Sequence, residues 1–182
     1  MRVITGIARG AKLNTLDGDD VRPTPEKVKE AIFSAIQFRI EGRKFLDLFA
    51  GSGQMGIEAL SRGASKAFFI DTGRDASAMI KKNLQSSGLE KDAIVLNMDS
   101  IDFLRRTKEK FDIAFLDPPY RKGILQNALS VIDNVMNKGG TIITENPVDE
   151  ELPESIGCFE LYRTYRFGKI RVSVYTVPND EE

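Results

Sequence analysis

Asp117-Pro118-Pro119-Tyr120 is the segment whose residue types are best suited to chemistry. Two consecutive prolines fix φ and remove two N–H donors, so the stretch offers acceptors, the Asp117 carboxylate and free carbonyls such as that of Pro118, beside an aromatic ring. An acceptor-rich, donor-poor site suits an amino group. The exocyclic amine of a nucleobase is a weak nucleophile because its lone pair is delocalised into the ring. Two acceptors on its hydrogens would orient the nitrogen, and stacking on Tyr120 would hold the base plane. Methyl transfer to such a nitrogen is an in-line displacement dominated by positioning, worth up to about 7–11 kcal/mol. It needs no histidine base, and the chain has no histidine. A Pro-Pro turn that merely ends a strand is the structural alternative.

Gly51-Ser52-Gly53-Gln54-Met55-Gly56 reads G-x-G-x-x-G, and Asp71 stands twenty positions after Gly51. By itself this is the dinucleotide fingerprint, which says that a ligand approaches the backbone closely at a helix N-terminus. Asp47, four residues before Gly51, changes the reading. Its carboxylate would repel a pyrophosphate and would stabilise the cationic amino group and sulfonium of S-adenosyl-L-methionine, favouring that cofactor over NAD. Asp71 suits ribose hydroxyls with either cofactor. Asp99 is placed to accept from an adenine amino group, or to cap a helix.

These residues need a frame that brings them together. From Lys44 onward short β-like runs (45–50, 67–71, 94–97, 113–116, 141–144) alternate with helical ones (54–62, 73–87, 100–107, 123–137), Gly63, Gly88 and Gly139 serving as helix stops. Such alternation predicts an α/β fold, a doubly wound parallel sheet with helices on both faces, whose ligands bind at the carboxyl ends of the strands. Residues 159–167 and 170–177 flank Gly168-Lys169 and predict an antiparallel hairpin finishing the sheet. Ahead of the sheet, 2–7 and 11–16 read as a hairpin or extended arm without a core of its own. Thr24-Pro25 then opens a helix predicted over 24–40, with Thr24 as its cap. One domain is expected over 1–182: an arm and helix to residue 40, a catalytic sheet over 44–177, and an acidic tail over 178–182.

Composition narrows the classes. The 182 residues carry 26 Lys+Arg against 27 Asp+Glu, with a single cysteine. Cys158 cannot form an internal disulfide, and no Cys/His cluster exists for zinc, so a reduced cytoplasmic setting and no metal are expected. The cysteine lies far from the motifs, which argues against pyrimidine C5 methylation. The longest uncharged stretches, 48–57 and 123–132, span ten residues, against the roughly 18 that a membrane span needs, so no membrane partner is expected. The balanced charge hides basic segments: Arg2, Arg9 and Lys12 in the arm, Arg121-Lys122 after the proline motif, and Arg163, Arg166, Lys169 and Arg171 in the last hairpin. The arm and Arg121-Lys122 are expected to flank the site and contact phosphates. The acids of 145–154, beginning with Glu145, read as a solvated stretch.

Val21-Arg22-Pro23-Thr24…Glu30-Ala31-Ile32-Phe33, Phe45 to Gly53, Gly56 to Ala64 and Asp117-Pro118-Pro119-Tyr120 together closely resemble the RsmD (YhhF) family over about residues 1–177. The resemblance implies a seven-stranded, Rossmann-like methyltransferase fold with S-adenosylmethionine as donor. The implied acceptor is the 2-amino group of a guanine in small-subunit ribosomal RNA, presented as a partly assembled ribosomal particle. It implies that Asp47, Gly51 and Gly53 line the methionine and ribose, Asp71 the ribose and Asp99 the adenine. Asp117, Pro118 and Tyr120 would receive the guanine amine. Separately from the resemblance, Arg9, Lys12, Arg22, Arg121 and Lys122 are the candidate RNA contacts. The chain departs from the family pattern at Asp71, where Glu is commoner, and at Gly73, where an acid is commoner. Alternatives on the residues alone are another amine acceptor (adenine N6 or a protein glutamine), a non-catalytic RNA-binding assembly factor, and an NAD-linked reductase.

Overall fold

A computed structural model describes residues 1–15, 24–120 and 123–178. Five parallel strands, β1 (Lys44–Asp47), β2 (Lys66–Asp71), β3 (Ala93–Asn97), β4 (Phe111–Leu116) and β5 (Met136–Pro147), are joined in one sheet to β6 (Ser155–Ile156), β7 (Phe159–Phe167) and β8 (Ile170–Thr176). The order is β3-β2-β1-β4-β5-β8-β7-β6, with β8, β7 and β6 each antiparallel to its predecessor in that order. The predicted doubly wound sheet and tail hairpin are therefore present. The eighth strand, beyond the seven expected, is the two-residue β6, which is too short to carry a sequence period.

Side-chain alternation divides the core into two layers. Phe45, Phe69, Phe115, Ile143 and Val172 pack beneath α1 (Glu26–Ala35), α2 (Gln54–Ser61) and α3 (Arg74–Ser87). Leu46, Phe68, Leu116, Ile142 and Tyr175 meet α4 (Ser100–Arg106) and α5 (Ile124–Leu129) on the opposite face. Two predicted helices are shorter in the structure. The one expected over 123–137 is α5 followed by a 3₁₀ turn at Ile132–Val135, because strand β5 already starts at Met136. Gly139, expected as a helix stop, consequently lies inside β5 with φ +77°, opposite the register shift between Phe111 and Ile113.

The helix expected over 24–40 spans Glu26–Ala35, and Pro25 stands at its N-cap position with no side-chain cap. The Thr24 hydroxyl is used elsewhere, as described below. The N-terminal arm also differs from expectation, making a single bridge, Arg2 to Lys12, while Val3 and Leu13 are buried in the first core layer. Its anchor is Glu58 on α2, which is fully buried. This carboxylate accepts from the Ile4 N–H (2.8 Å), the Thr5 N–H (3.0 Å) and Arg62 Nε (2.8 Å), and pairs with Lys29 Nζ at 3.4 Å. Lys29 is itself fully buried and donates to the Arg2 carbonyl at 2.7 Å. Burial lowers the Lys29 pKa, and the nearby Glu58 opposes the shift.

Removing one partner of such a pair strands the other charge in the interior. Glu58→Ala should cost about 3–5 kcal/mol, read as a lowered midpoint in urea unfolding at neutral pH.

Candidate functional site

Asp47 ends β1, Asp117 follows β4, and Glu145 lies on β5. Strand alternation carries Phe45 and Asp47 to one face, as it does Phe115 and Asp117, and Ile143 and Glu145. The register pairs Asp47 with Phe115 and Leu116 with Thr144, so the three acids come to one face at the carboxyl ends of three adjacent strands. The order of strands reverses there, between β1 and β4, which is where open α/β sheets form their crevice.

The glycine loop crosses this crevice. Gly51 has φ +54°, and a Cβ built on it would meet no atom within 4 Å, so the backbone there faces open space. Gly56 serves a different need: its Cβ would stand 2.3 Å from Phe69 Cε1, so only glycine lets α2 lie this close to β2. Asp47, 1% exposed, accepts the Gly56 N–H at 3.0 Å and so acts from beneath the loop. Asp71 fastens two loops at once, accepting the Gly51 N–H at 2.9 Å and the Gly73 N–H at 2.8 Å. The two departures from the family pattern thus meet in space, since a Cβ on Gly73 would lie 3.2 Å from Asp71 Oδ1. Asp71 remains half-buried, with lone pairs left for a further donor. Asp99 caps α4, accepting from the Ile101 and Asp102 N–H groups at 2.9 and 3.0 Å, and is exposed.

The acceptor loop adds a residue that the sequence reading assigned to solvent. Glu145 is 2% exposed, receives the Thr24 hydroxyl at 3.1 Å and receives the Tyr120 hydroxyl at 3.4 Å. The available signal was its place directly after Ile142-Ile143-Thr144, at the same strand end as the other acids. Pro118, Pro119, Tyr120, Glu145, Asn146 and Glu150 line a recess there, closed on one side by Gly123, Ile124 and Leu125.

Burying these acids raises their proton affinities. Burial pushes Asp47 up to about 7, aided by the field of Asp71 and opposed by the Gly56 hydrogen bond. Burial, then Glu145 and Asp47, hold Asp117 well above the usual carboxylate range. Burial raises Glu145 as well, against the hydrogen bonds from Thr24 and Tyr120. Among the described residues no Lys or Arg forms an ion pair with any of the three. Such an arrangement can hold cationic and hydrogen-bond-donating groups.

The basic candidates are dispersed. Arg22, Arg121 and Lys122 lie outside the described residues. Arg9 is exposed beside Gly6 and Ala8, whose neighbours at Ser61 form the C-terminal end of α2, a helix length from the glycine loop. Lys12 is exposed and bridges to Arg2, which pairs with Glu26 at the start of α1, nearer the crevice. In the last hairpin, Arg171 is occupied by the carbonyls of Val148 and Glu150, whereas Arg163 lies over the exposed Tyr162 ring at 5.5 Å. Among the described residues no group of acids and Cys158 could hold a metal, and no helix is long and apolar enough to cross a membrane.

This strand order, with a glycine loop after β1 and an Asp-Pro-Pro-Tyr loop after β4, defines an α/β methyltransferase fold. A structure of a provisionally assigned methyltransferase YhhF from Escherichia coli superposes with TM-score 0.85 at 31% identity, covering 97% of each chain. An RNA methyltransferase from Salinibacter ruber, solved with S-adenosyl-L-homocysteine, shares the fold at TM-score 0.68 and 15% identity, over 88% of this chain and 97% of that one. Ribosomal RNA small subunit methyltransferase D of Haemophilus influenzae is 37% identical over 157 residues, 84% of this chain and 81% of its own. The profile of the family described as Conserved hypothetical protein 95 matches residues 1–176, and the chain belongs to that family, the RsmD family.

The raised Asp47 pKa has a testable sign. Between about pH 4 and 7 the folded chain binds this proton more tightly than the unfolded chain, so the group makes stability fall as pH rises, with the full cost present above 7. Asp47→Asn can still accept from Gly56. It should match the wild type near pH 4 and exceed it by roughly 4 kcal/mol above pH 7, measured by urea unfolding across that range.

Proposed function

We propose that this protein transfers the methyl group of S-adenosylmethionine to the exocyclic 2-amino group of a guanine in small-subunit ribosomal RNA. The single observation that carries the reading is the acid-rich crevice beside the glycine loop, where Asp117 and Glu145 stand together without a cation among the described residues. Membership of the RsmD family and the name of the Haemophilus relative support small-subunit ribosomal RNA as the substrate. A partly assembled ribosomal particle in the cytoplasm is the proposed form of that substrate.

The residues fit S-adenosylmethionine. Gly51 leaves space that a side chain would fill, Asp47 and Asp71 supply negative charge and acceptors where a dinucleotide would bring phosphates, and the buried Gln54 Oε1 has no partner among the described residues. Asp47, Gly51 and Gly53 would hold the methionine side, Asp71 the ribose and Asp99 the adenine. When bound, the cofactor supplies a methyl carbon made electrophilic by a sulfonium.

The chain's own groups then act on the acceptor. Asp117 and the Pro118 carbonyl accept the two hydrogens of the amine and so aim the nitrogen lone pair into the crevice. Tyr120, 40% exposed, offers its ring face to the base. Asp117 is placed to take the proton that the nitrogen sheds as its new bond forms, and burial beside Glu145 strengthens it as a base. A carboxylate at Asp117 also favours guanine over adenine. Guanine carries an N1–H beside its 2-amino group, whereas adenine carries an N1 lone pair beside its 6-amino group, which a carboxylate repels.

The test is transfer from labelled S-adenosylmethionine to small ribosomal subunits lacking the modification, followed by nucleoside analysis. Labelled N2-methylguanosine is expected. Label in adenosine or protein would move the substrate, and no label would sink the reading. In the same assay Asp117→Ala should lower turnover at least about a hundredfold with cofactor affinity nearly unchanged. Asp71→Ala should instead weaken cofactor binding about tenfold, because it releases both loops. Equal loss of both properties in both variants would contradict this division of roles.

A further inference from the structure

The two halves of the crevice are joined by one chain of hydrogen bonds. Gln54, the first residue of α2 after Gly53, donates from Nε2 to the Thr24 carbonyl at 3.3 Å. The hydroxyl of the same Thr24 donates to Glu145 Oε2 at 3.1 Å, and Tyr120 donates to Glu145 Oε1 at 3.4 Å. Gln54, Thr24 and Glu145 are all buried, at 5%, 6% and 2% exposure, so water competes little for these bonds. Tyr120 is the partly exposed member of these links, and it carries the ring face assigned to the base.

We propose that Glu145 is a positioning residue, whose carboxylate fixes the Tyr120 ring and, through Thr24, ties that ring to the glycine loop. This rests on the methyl-transfer reading of the site and adds to it a residue that acts through another. A tyrosine on a loop can swing about χ1, and a buried acceptor on its hydroxyl holds the outer end of the ring in one place. Because Thr24 is shared, displacement on the acceptor side is felt at the first turn of α2, beside the loop that would hold the methyl donor. The Thr24 hydroxyl, expected from sequence to cap α1, is committed to this link instead. Glutamine at 145 preserves the geometry, since its amide oxygen can accept from one hydroxyl while its amide nitrogen donates to the other.

The experiment is a double-mutant cycle on the full-length protein, using the small-subunit methylation assay with S-adenosylmethionine binding measured in parallel. Glu145→Ala should lower kcat about tenfold with cofactor affinity within about twofold, and Glu145→Gln should keep most of the activity. In a Tyr120→Phe background, which lacks the hydroxyl that Glu145 holds, Glu145→Ala should cost far less than tenfold. Thr24→Val, which leaves the carboxylate in place, should lower kcat in the same direction and serves if Glu145→Ala does not fold. Additive losses in the cycle, or Glu145→Gln as impaired as Glu145→Ala, would overturn the proposal while leaving the methyl-transfer reading intact. A wild type that methylates no small-subunit RNA would overturn both.

Discussion

Negative charge buried without a counter-ion is the constraint around which this molecule is arranged. Asp47, Asp117 and Glu145 share one face at the ends of three adjacent strands, and no cation pairs with them among the described residues. The same chain buries Glu58 quite differently, with Lys29, Arg62 and two backbone N–H groups around one carboxylate. Glu58 is neutralised and anchors the N-terminal arm. The three strand-end acids are left to raise their own proton affinities, a cost that folding alone gives no reason to keep. A ligand that brings positive charge and hydrogen-bond donors offsets it.

The topology makes this concentration of acids possible. Parallel strands put all their carboxyl ends at one edge, and the reversal of order between β1 and β4 opens a crevice there. Backbone amides then take part of the load. Asp47 is held by Gly56, and Asp71 by Gly51 and Gly73, so the acids that face the glycine loop also give the loop its shape. On the other side, Glu145 connects the acceptor loop to Thr24 and onward to Gln54. The two loops that must meet for group transfer are thereby parts of one bonded framework.

Much of this was legible in the sequence, for identifiable reasons. The five parallel strands and the tail hairpin follow from apolar runs of the right length punctuated by glycine, and Asp47, Asp71 and Asp117 stand where those runs end. Failures occurred where tertiary contacts overrule a local signal. Thr24-Pro25 has the form of a helix start, yet the hydroxyl bonds to a residue 121 positions away. Gly139 has the form of a helix stop, yet it sits in a strand whose partner shifts register opposite it. Glu145 begins an acidic stretch and looks solvated, because the only local sign that its strand carries on into the crevice, to Pro147, is its place directly after Ile142-Ile143-Thr144. Nothing local shows where the arm carrying Arg9 packs. The pull of Glu58 and Ser61 instead directs that turn to the far end of α2.

An ionised, buried Asp47 favours a cationic cofactor, and titration calorimetry of S-adenosylmethionine across pH tests this directly. With the Asp47 pKa near 7, affinity should weaken about tenfold between pH 7.5 and pH 6 as the carboxylate takes up its proton. Asp47→Asn should bind more weakly at pH 7.5 and lose most of that dependence. A wild-type affinity that is unchanged or stronger at pH 6, or a variant that keeps the full pH dependence, would contradict the account.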